Sequence, residues 1–321
     1  MACQERPCNA TLSNIGYACT PDQEVAYKLG FIRTYDSTGA KNRISKSASL
    51  DQTFFDDMVN DTDLSKRLYI LPPMNNIKDV SAEAKKFTFD NQSTEHISDG
   101  VRTFEAMVAG GNSGANAPKM KAKIEGFRNG DFSVYIITTN NQLVGNISSD
   151  GLFIEPIAVD TQSISVTLVK KTEDAPQHLM LMFNFSKKNK DSDLVTIECT
   201  ELGGADLLAL RSPLDVSYVL IESLTTNLKF KLVTDGGTPI TPITVDGMVA
   251  ADFVSSVTAS TSKVRNATDS ADVTVTSVES PDGTYTLTFS VAQTLGDAII
   301  VDGLYNGYDF TNVKAEPFTL V

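Results

Sequence analysis

The chain has no tryptophan, two histidines and four cysteines, and none of its windows approaches the roughly 18 uninterrupted apolar residues of a spanning helix. Each scarcity removes a class of protein. Without such a run, a helical membrane protein is not expected. The opening Met1-Ala-Cys-Gln-Glu-Arg-Pro-Cys8 also lacks the apolar core of a secretory signal, which predicts a protein made and kept in the cytoplasm unless lysis releases it. Zero Trp beside 9 Tyr disfavours the exposed aromatic platforms of a carbohydrate-binding module. Cations are scarce too. With 27 Lys and Arg against 40 Asp and Glu, the net charge is −13, whereas a nucleic-acid binder needs basic residues clustered on one face.

Catalytic and ligand-binding patterns are equally thin. Cys3, Cys8 and Cys19 sit near the N-terminus and Cys199 far from them, without the paired C-x-x-C spacing of a zinc site, so free thiols and no metal centre are expected. His96, in Thr94-Glu-His-Ile-Ser-Asp99, and His178, before an apolar run, carry no accompanying nucleophile signature and read as surface histidines. Gly111-Asn-Ser-Gly114 fails the nucleophile-elbow pattern because Ala115 stands where the final glycine belongs. Gly110-Gly111 is followed by neither a phosphate-loop lysine nor a dinucleotide fingerprint. Asp56, Asp57, Asp61 and Asp63 form an acidic cluster, but Lys66 occupies the calcium loop's glycine position, so a solvated helix end is expected. Forty acidic residues offer many glycosidase-like pairs, for which only separation in space is diagnostic. No catalytic, cofactor-binding or metal-binding residue is assigned, and no enzyme is expected.

What is present is β pattern in two parts. A length of 321 residues suits two domains better than one. Asp51 caps a short amphipathic helix carrying Phe54, Phe55, Met58 and Val59. Tyr69-Ile-Leu is a strand-like run stopped by Pro72 and Pro73, and Lys86-Phe-Thr-Phe resumes the alternation. Gly110 to Pro118 is small, polar and glycine-rich, an exposed loop. Beyond it the two-residue period is strong. Phe132, Val134 and Ile136 alternate with Ser133 and Tyr135, and Asn140-Asn141 turns the chain back through Leu143 to Ile147. Ile164-Val166-Leu168, Leu179-Leu181-Phe183-Phe185 and Val195-Ile197-Cys199 continue it, predicting antiparallel strands with one face in a core and one facing water or a neighbouring subunit.

Pro213 marks the expected domain boundary, giving an N-terminal β-barrel or sandwich domain over 1–212 and a second domain over 213–321. The second part is the more acidic, with 5 basic and 13 acidic residues against 22 and 27 before it. Its short strands, among them Leu228–Leu232, Thr284–Ser290 and Ala298–Val301, are separated by turns such as Asp235-Gly236 and Pro281-Asp-Gly283. That spacing predicts an immunoglobulin-like β-sandwich without the Cys-Trp-Cys hallmark.

In architecture the chain resembles the major tail proteins of long-tailed bacteriophages. The likeness is carried by Ser149-Asp-Gly-Leu-Phe-Ile-Glu-Pro156 with the strand Ser163-Ile-Ser-Val-Thr-Leu, and by the closing Asp282-Gly-Thr-Tyr-Thr-Leu-Thr-Phe. The resemblance implies a virion protein, assembled in the host cytoplasm, whose sheets join side by side into hexameric rings. Its partners would be further copies and other tail proteins, and the rings would stack into a tube that passes DNA without binding it. No membrane or cofactor is implied. Loops such as that around Gly110 would order on stacking, and the cysteine-bearing N-terminal segment would reach a neighbour. Competing expectations are a capsid decoration or head-fibre protein, a cell-surface carbohydrate-binding module and a hydrolase of unfamiliar type.

Overall fold

The structure is a computed structural model and describes residues 24–83, 85–90, 92–98, 100–109, 117–173, 176–237, 240–253, 264–302 and 307–321. It is mainly β and its strands pair antiparallel, as the alternation predicts, apart from a short parallel pairing of residues 214–215 with 308–309. The described residues divide into two compact units, which meet in sequence at Ser212 and Pro213.

In the first unit the elements are β1 (Ala26–Arg33), β2 (Ile44–Ser45), α1 (Gln52–Val59), β3 (Tyr69–Ile70), β4 (Met74–Ser81), β5 (Lys85–Thr88), β6 (Thr94–Ser98) and β7 (Arg102–Ala109). Then come α2 (Ala117–Gly126), β8 (Phe132–Thr138), β9 (Leu143–Ile147), β10 (Phe153–Glu155), β11 (Ile157–Val169), β12 (His178–Phe185) and β13 (Leu194–Ile197). The main sheet runs β2-β10-β9-β8-β11-β12-β7-β4, with β1 along β8 and β13 along β9. Strand β11 joins its two halves. It starts beside β8, shifts register between Asp160 and Ser165, and continues beside β12. At that irregularity the Ser163 hydroxyl accepts from the Asn184 N–H at 2.7 Å and donates to the Asp160 carbonyl, satisfying backbone groups the ladder leaves open.

Folding one half over the other encloses a core of Leu29, Phe31, Val134 and Ile136 against Phe104, Leu181 and Phe183. Phe104 and Phe183 stack at 5.1 Å. Ile124 of α2 is buried in the same core. This helix was not expected. Pro118 closes a glycine-rich run, but proline suits the first turn of a helix, and Met120, Ile124 and Phe127 recur at helical spacing.

A second core lies on the opposite face of β8. Ile32, Tyr135 and Ile137 are covered there by Phe55 and Val59 of α1 and by Leu202, Leu207 and Leu210. Asp51 caps α1 as predicted, its carboxylate accepting the Phe54 N–H at 3.0 Å. The expectation of a water-facing side for β8 is corrected by this layer. Ser133 and Tyr135 are each only 1% exposed. Their polar atoms are satisfied internally, Ser133 by the Thr34 hydroxyl at 2.8 Å and Tyr135 by donating to the Ile154 carbonyl at 3.0 Å. Burial pushes the Tyr135 phenol far above its usual range.

The second unit contains β14 (Leu214–Ser223), β15 (Asn227–Gly237), β16 (Pro242–Thr244), β17 (Val264–Asn266), β18 (Ala271–Asp272) and β19 (Val275–Glu279). It continues with β20 (Thr284–Phe289), β21 (Ala298–Val301), β22 (Tyr308–Asp309), α3 (Thr311–Ala315) and β23 (Phe318–Thr319). A sheet ordered β19-β20-β15-β14-β22, with β16 on β15, and a sheet ordered β18-β17-β21-β23 share one core. Phe230, Leu232, Tyr285 and Leu287 from the first sheet meet Val264, Ile299, Val301 and Phe318 from the second. Asn266, 1% exposed, donates to the buried Asp297 carboxylate at 2.7 Å and accepts the N–H groups of Thr268 and Asp269.

Candidate functional site

Strand β4 is the edge of the main sheet beside β7, and the β4–β7 pair leads as a ribbon into the hairpin of β5 and β6. Ser81 pairs with Arg102, the Ala82 N–H donates to the Val101 carbonyl at 2.9 Å, and Lys85 pairs with Ser98. The ribbon is tight at this junction. A Cβ on Gly100 would stand 1.7 Å from the Ala82 carbonyl oxygen, so only glycine fits there. Among the described residues β4 pairs with β7 alone and β5 with β6 alone, leaving the outer edge of the ribbon without a strand partner. Part of that edge is blunted by a bulge at Asn76, whose φ is +51°, and by Lys78.

At the far end of the hairpin Phe87 and Phe89, two apart and therefore on one face, sit edge to face at 4.9 Å. They are 53% and 44% exposed. At its base lie two adjoining clefts of about 510 and 630 Å³ that share Ser81, Arg102 and Leu194. Core residues line them from both halves of the sheet, with Phe104 and Ile136 in one and Ile157 and Phe185 in the other. At the rim Arg102 makes a two-pronged ion pair with Asp79, both contacts at 2.7 Å, and its guanidinium lies 5.1 Å from the centre of the Phe185 ring. That fork locks β4 to β7 where the ribbon leaves the sandwich.

Elsewhere the polar clusters are spent on structure. Asp63 accepts the Ser65 N–H and hydroxyl and the Ser37 hydroxyl; the Ser65 hydroxyl in particular holds its carboxyl below the ordinary range. Asp61 accepts the Asp63 N–H, and Asp56 accepts from Gln52. Among the described residues no three His, Cys, Asp or Glu side chains converge as metal ligands would. His178, expected on the surface, opens β12 and is 8% exposed, with Nδ1 2.9 Å from the Pro176 carbonyl. It lies within the sheet and not in a loop, between Val169 of β11 and Ala109 of β7. His96 lies on β6 opposite Lys86. Cys199, expected as a free thiol, is disulfide-bonded, and its partner lies outside the described residues. The Gly111–Gly114 segment, the loop around Gly110 and the N-terminal segment with Cys3, Cys8 and Cys19 also lie outside them.

Lys28 is the least expected polar residue. It is 3% exposed on β1, and its Nζ donates to the carbonyls of Leu208 and, at 2.9 Å, Leu210. Burial, then the nearby Arg211 charge, lowers its pKa. It pins the 206–210 segment over the second core and faces no cleft. Its sequence context, an apolar strand on both sides, was the available signal.

No helix of the described residues is long and apolar enough to cross a membrane. The chain matches no protein-family model, no curated protein and no solved structure.

Proposed function

We propose that the protein is a structural subunit that works by assembling with copies of itself, as a ring-forming, stacking tail tube protein of a long-tailed bacteriophage. The observation that carries this reading is the ribbon of β4 to β7. It offers an open strand edge and ends in an exposed aromatic pair, two features that a soluble monomer normally suppresses. An edge strand left open in one copy is completed by a strand of the next, and a head-to-tail contact of this kind closes into a ring or continues as a filament. The acidic balance of −13 suits a tube through which DNA slides without sticking. No catalytic step belongs to this role.

Negative-stain electron microscopy of the tag-free protein over a range of concentrations tests it. Tubes or stacked rings of uniform width with a central channel are the expected result. A protein that stays monomeric at every concentration, or that associates only when capsids are added, overturns the tube reading.

A further inference from the structure

Strand β12 begins His178-Leu179-Met180-Leu181-Met182. Leu179, Leu181 and Phe183 enter the sandwich core, so the two-residue period puts His178, Met180 and Met182 together on the opposite face. The register adds a third methionine. Met107 of β7 stands directly across from Met180, with Thr167 of β11 on the other side, and Met182 is flanked by Ser165 and Glu105.

Packing does not explain these methionines. Met58, Met74, Met120 and Met248 lie in or against the hydrophobic cores, whereas among the described residues Met107, Met180 and Met182 belong to none of them. Met182 is 40% exposed, and Met107 and Met180 are half-buried on a face whose neighbours Thr167, Ser165, Thr103 and Asn184 are polar. Thioether sulfur is a soft donor that selects copper(I) over hard cations, and imidazole suits the same metal. The adjoining carboxylate, Glu105, is engaged by Lys78 at 3.7 Å.

The histidine is set up as a ligand. A carbonyl oxygen only accepts, so the 2.9 Å contact between Nδ1 and the Pro176 carbonyl places the proton of the neutral ring on Nδ1 and leaves Nε2 as a bare lone pair. Histidines that bind metals are held in this way. Directly opposed residues have Cβ atoms about 4.5–5.5 Å apart, and same-face neighbours along a strand are about 6.8 Å apart. The flexible methionine side chain covers both gaps. Met107 Sδ accepts from the Asn76 amide at 2.8 Å, so it joins by turning from Asn76 toward Met180.

We propose that His178, Met180, Met182 and Met107 form a binding site for a soft monovalent cation, with copper(I) as the natural ion. The site is independent of the self-assembly reading and involves no catalytic step. Silver(I), a redox-inert stand-in for copper(I), is the probe, titrated into the full chain labelled with carbon-13 at the methionine methyls after accessible thiols are alkylated. The signals of Met107, Met180 and Met182 should shift together and saturate at one ion per chain, while those of the core residues Met74 and Met248 stay in place. Met180→Leu/Met182→Leu conserves volume and apolarity, so its melting temperature should match wild type, and the Met107 shift should be lost. Absent shifts, shifts that never saturate, a Met107 response that survives in the double variant, or equal shifts with zinc(II) would each overturn the site.

Discussion

In the unit before Pro213 the central strand β8 is buried from Phe132 to Thr138 without interruption, whereas in the unit after it β20 alternates, with Thr286 and Thr288 more open than Tyr285, Leu287 and Phe289. The difference lies in the number of layers. The first unit places α1 and the 198–210 segment on the outer face of its sheet and so owns two cores, while the second unit closes one core between two sheets. A strand covered on both faces must satisfy every polar group from within, which is why Ser133, Tyr135 and Lys28 all have internal partners. The exposed apolar surface differs as well. The first unit presents aromatics at a hairpin tip, and the second presents Val219, Leu220 and Ile221 along β14.

The sharpest way to break the comparison is to remove the extra layer. Phe55→Ala, at a fully buried site, should cost about 3–5 kcal/mol, measured by urea unfolding, and should lower amide protection in β8 more than in β20. Equal loss in both strands would show that α1 does not cover the first unit alone. In the second unit Asn266→Ala removes the side-chain donor to the buried Asp297 carboxylate, leaving it the Thr294 N–H, and should cost about 1–3 kcal/mol; a cost under about 0.5 kcal/mol, the range of surface substitutions, would mean that water replaces the amide.

Lys28 separates the units by pH. The unfolded chain keeps this lysine protonated up to its ordinary 10.5, while the folded chain releases the proton earlier. Across that window the unfolded state binds more protons, so this group makes stability rise with pH. Lys28→Met removes the contribution and leaves two carbonyls without a donor, at about 1–3 kcal/mol. The wild-type advantage over the variant should widen as pH rises toward 10.5; a constant or narrowing gap in chemical denaturation would refute the buried cation. The smallest effect belongs to β14, where Ile221→Thr on the exposed face should stay within about 0.5 kcal/mol and leave sedimentation unchanged. Loss of assembly there would move the contact to the second unit.

Legibility in the sequence followed burial. Strands with one face covered, such as β11, β12 and β20, show their period plainly. Strand β1 does not, because Lys28, Leu29, Gly30, Phe31 and Ile32 are all buried and no alternation survives. Strand β14 lacks the alternation for another reason. Its register shifts between Leu220 and Glu222, so three consecutive apolar residues replace the two-residue rhythm. The candidate site was half visible: Lys86-Phe-Thr-Phe reads as a strand, but nothing in that run says that it stands clear of the sandwich. The cleft is assembled from five separate strands and has no local signature.

The sequence by itself determined the local choices: the Asp51 cap, the Asn140-Asn141 turn, the two-residue period of the singly covered strands and the acidic balance. These depend on neighbours a few residues apart. Only the tertiary structure decided that β8 is covered twice, that Lys28 and His178 are buried, and that the aromatic pair of Phe87 and Phe89 stands exposed at the hairpin end. Those outcomes depend on which distant surfaces meet, and a pattern along the chain records the period of burial but not the identity of what does the covering.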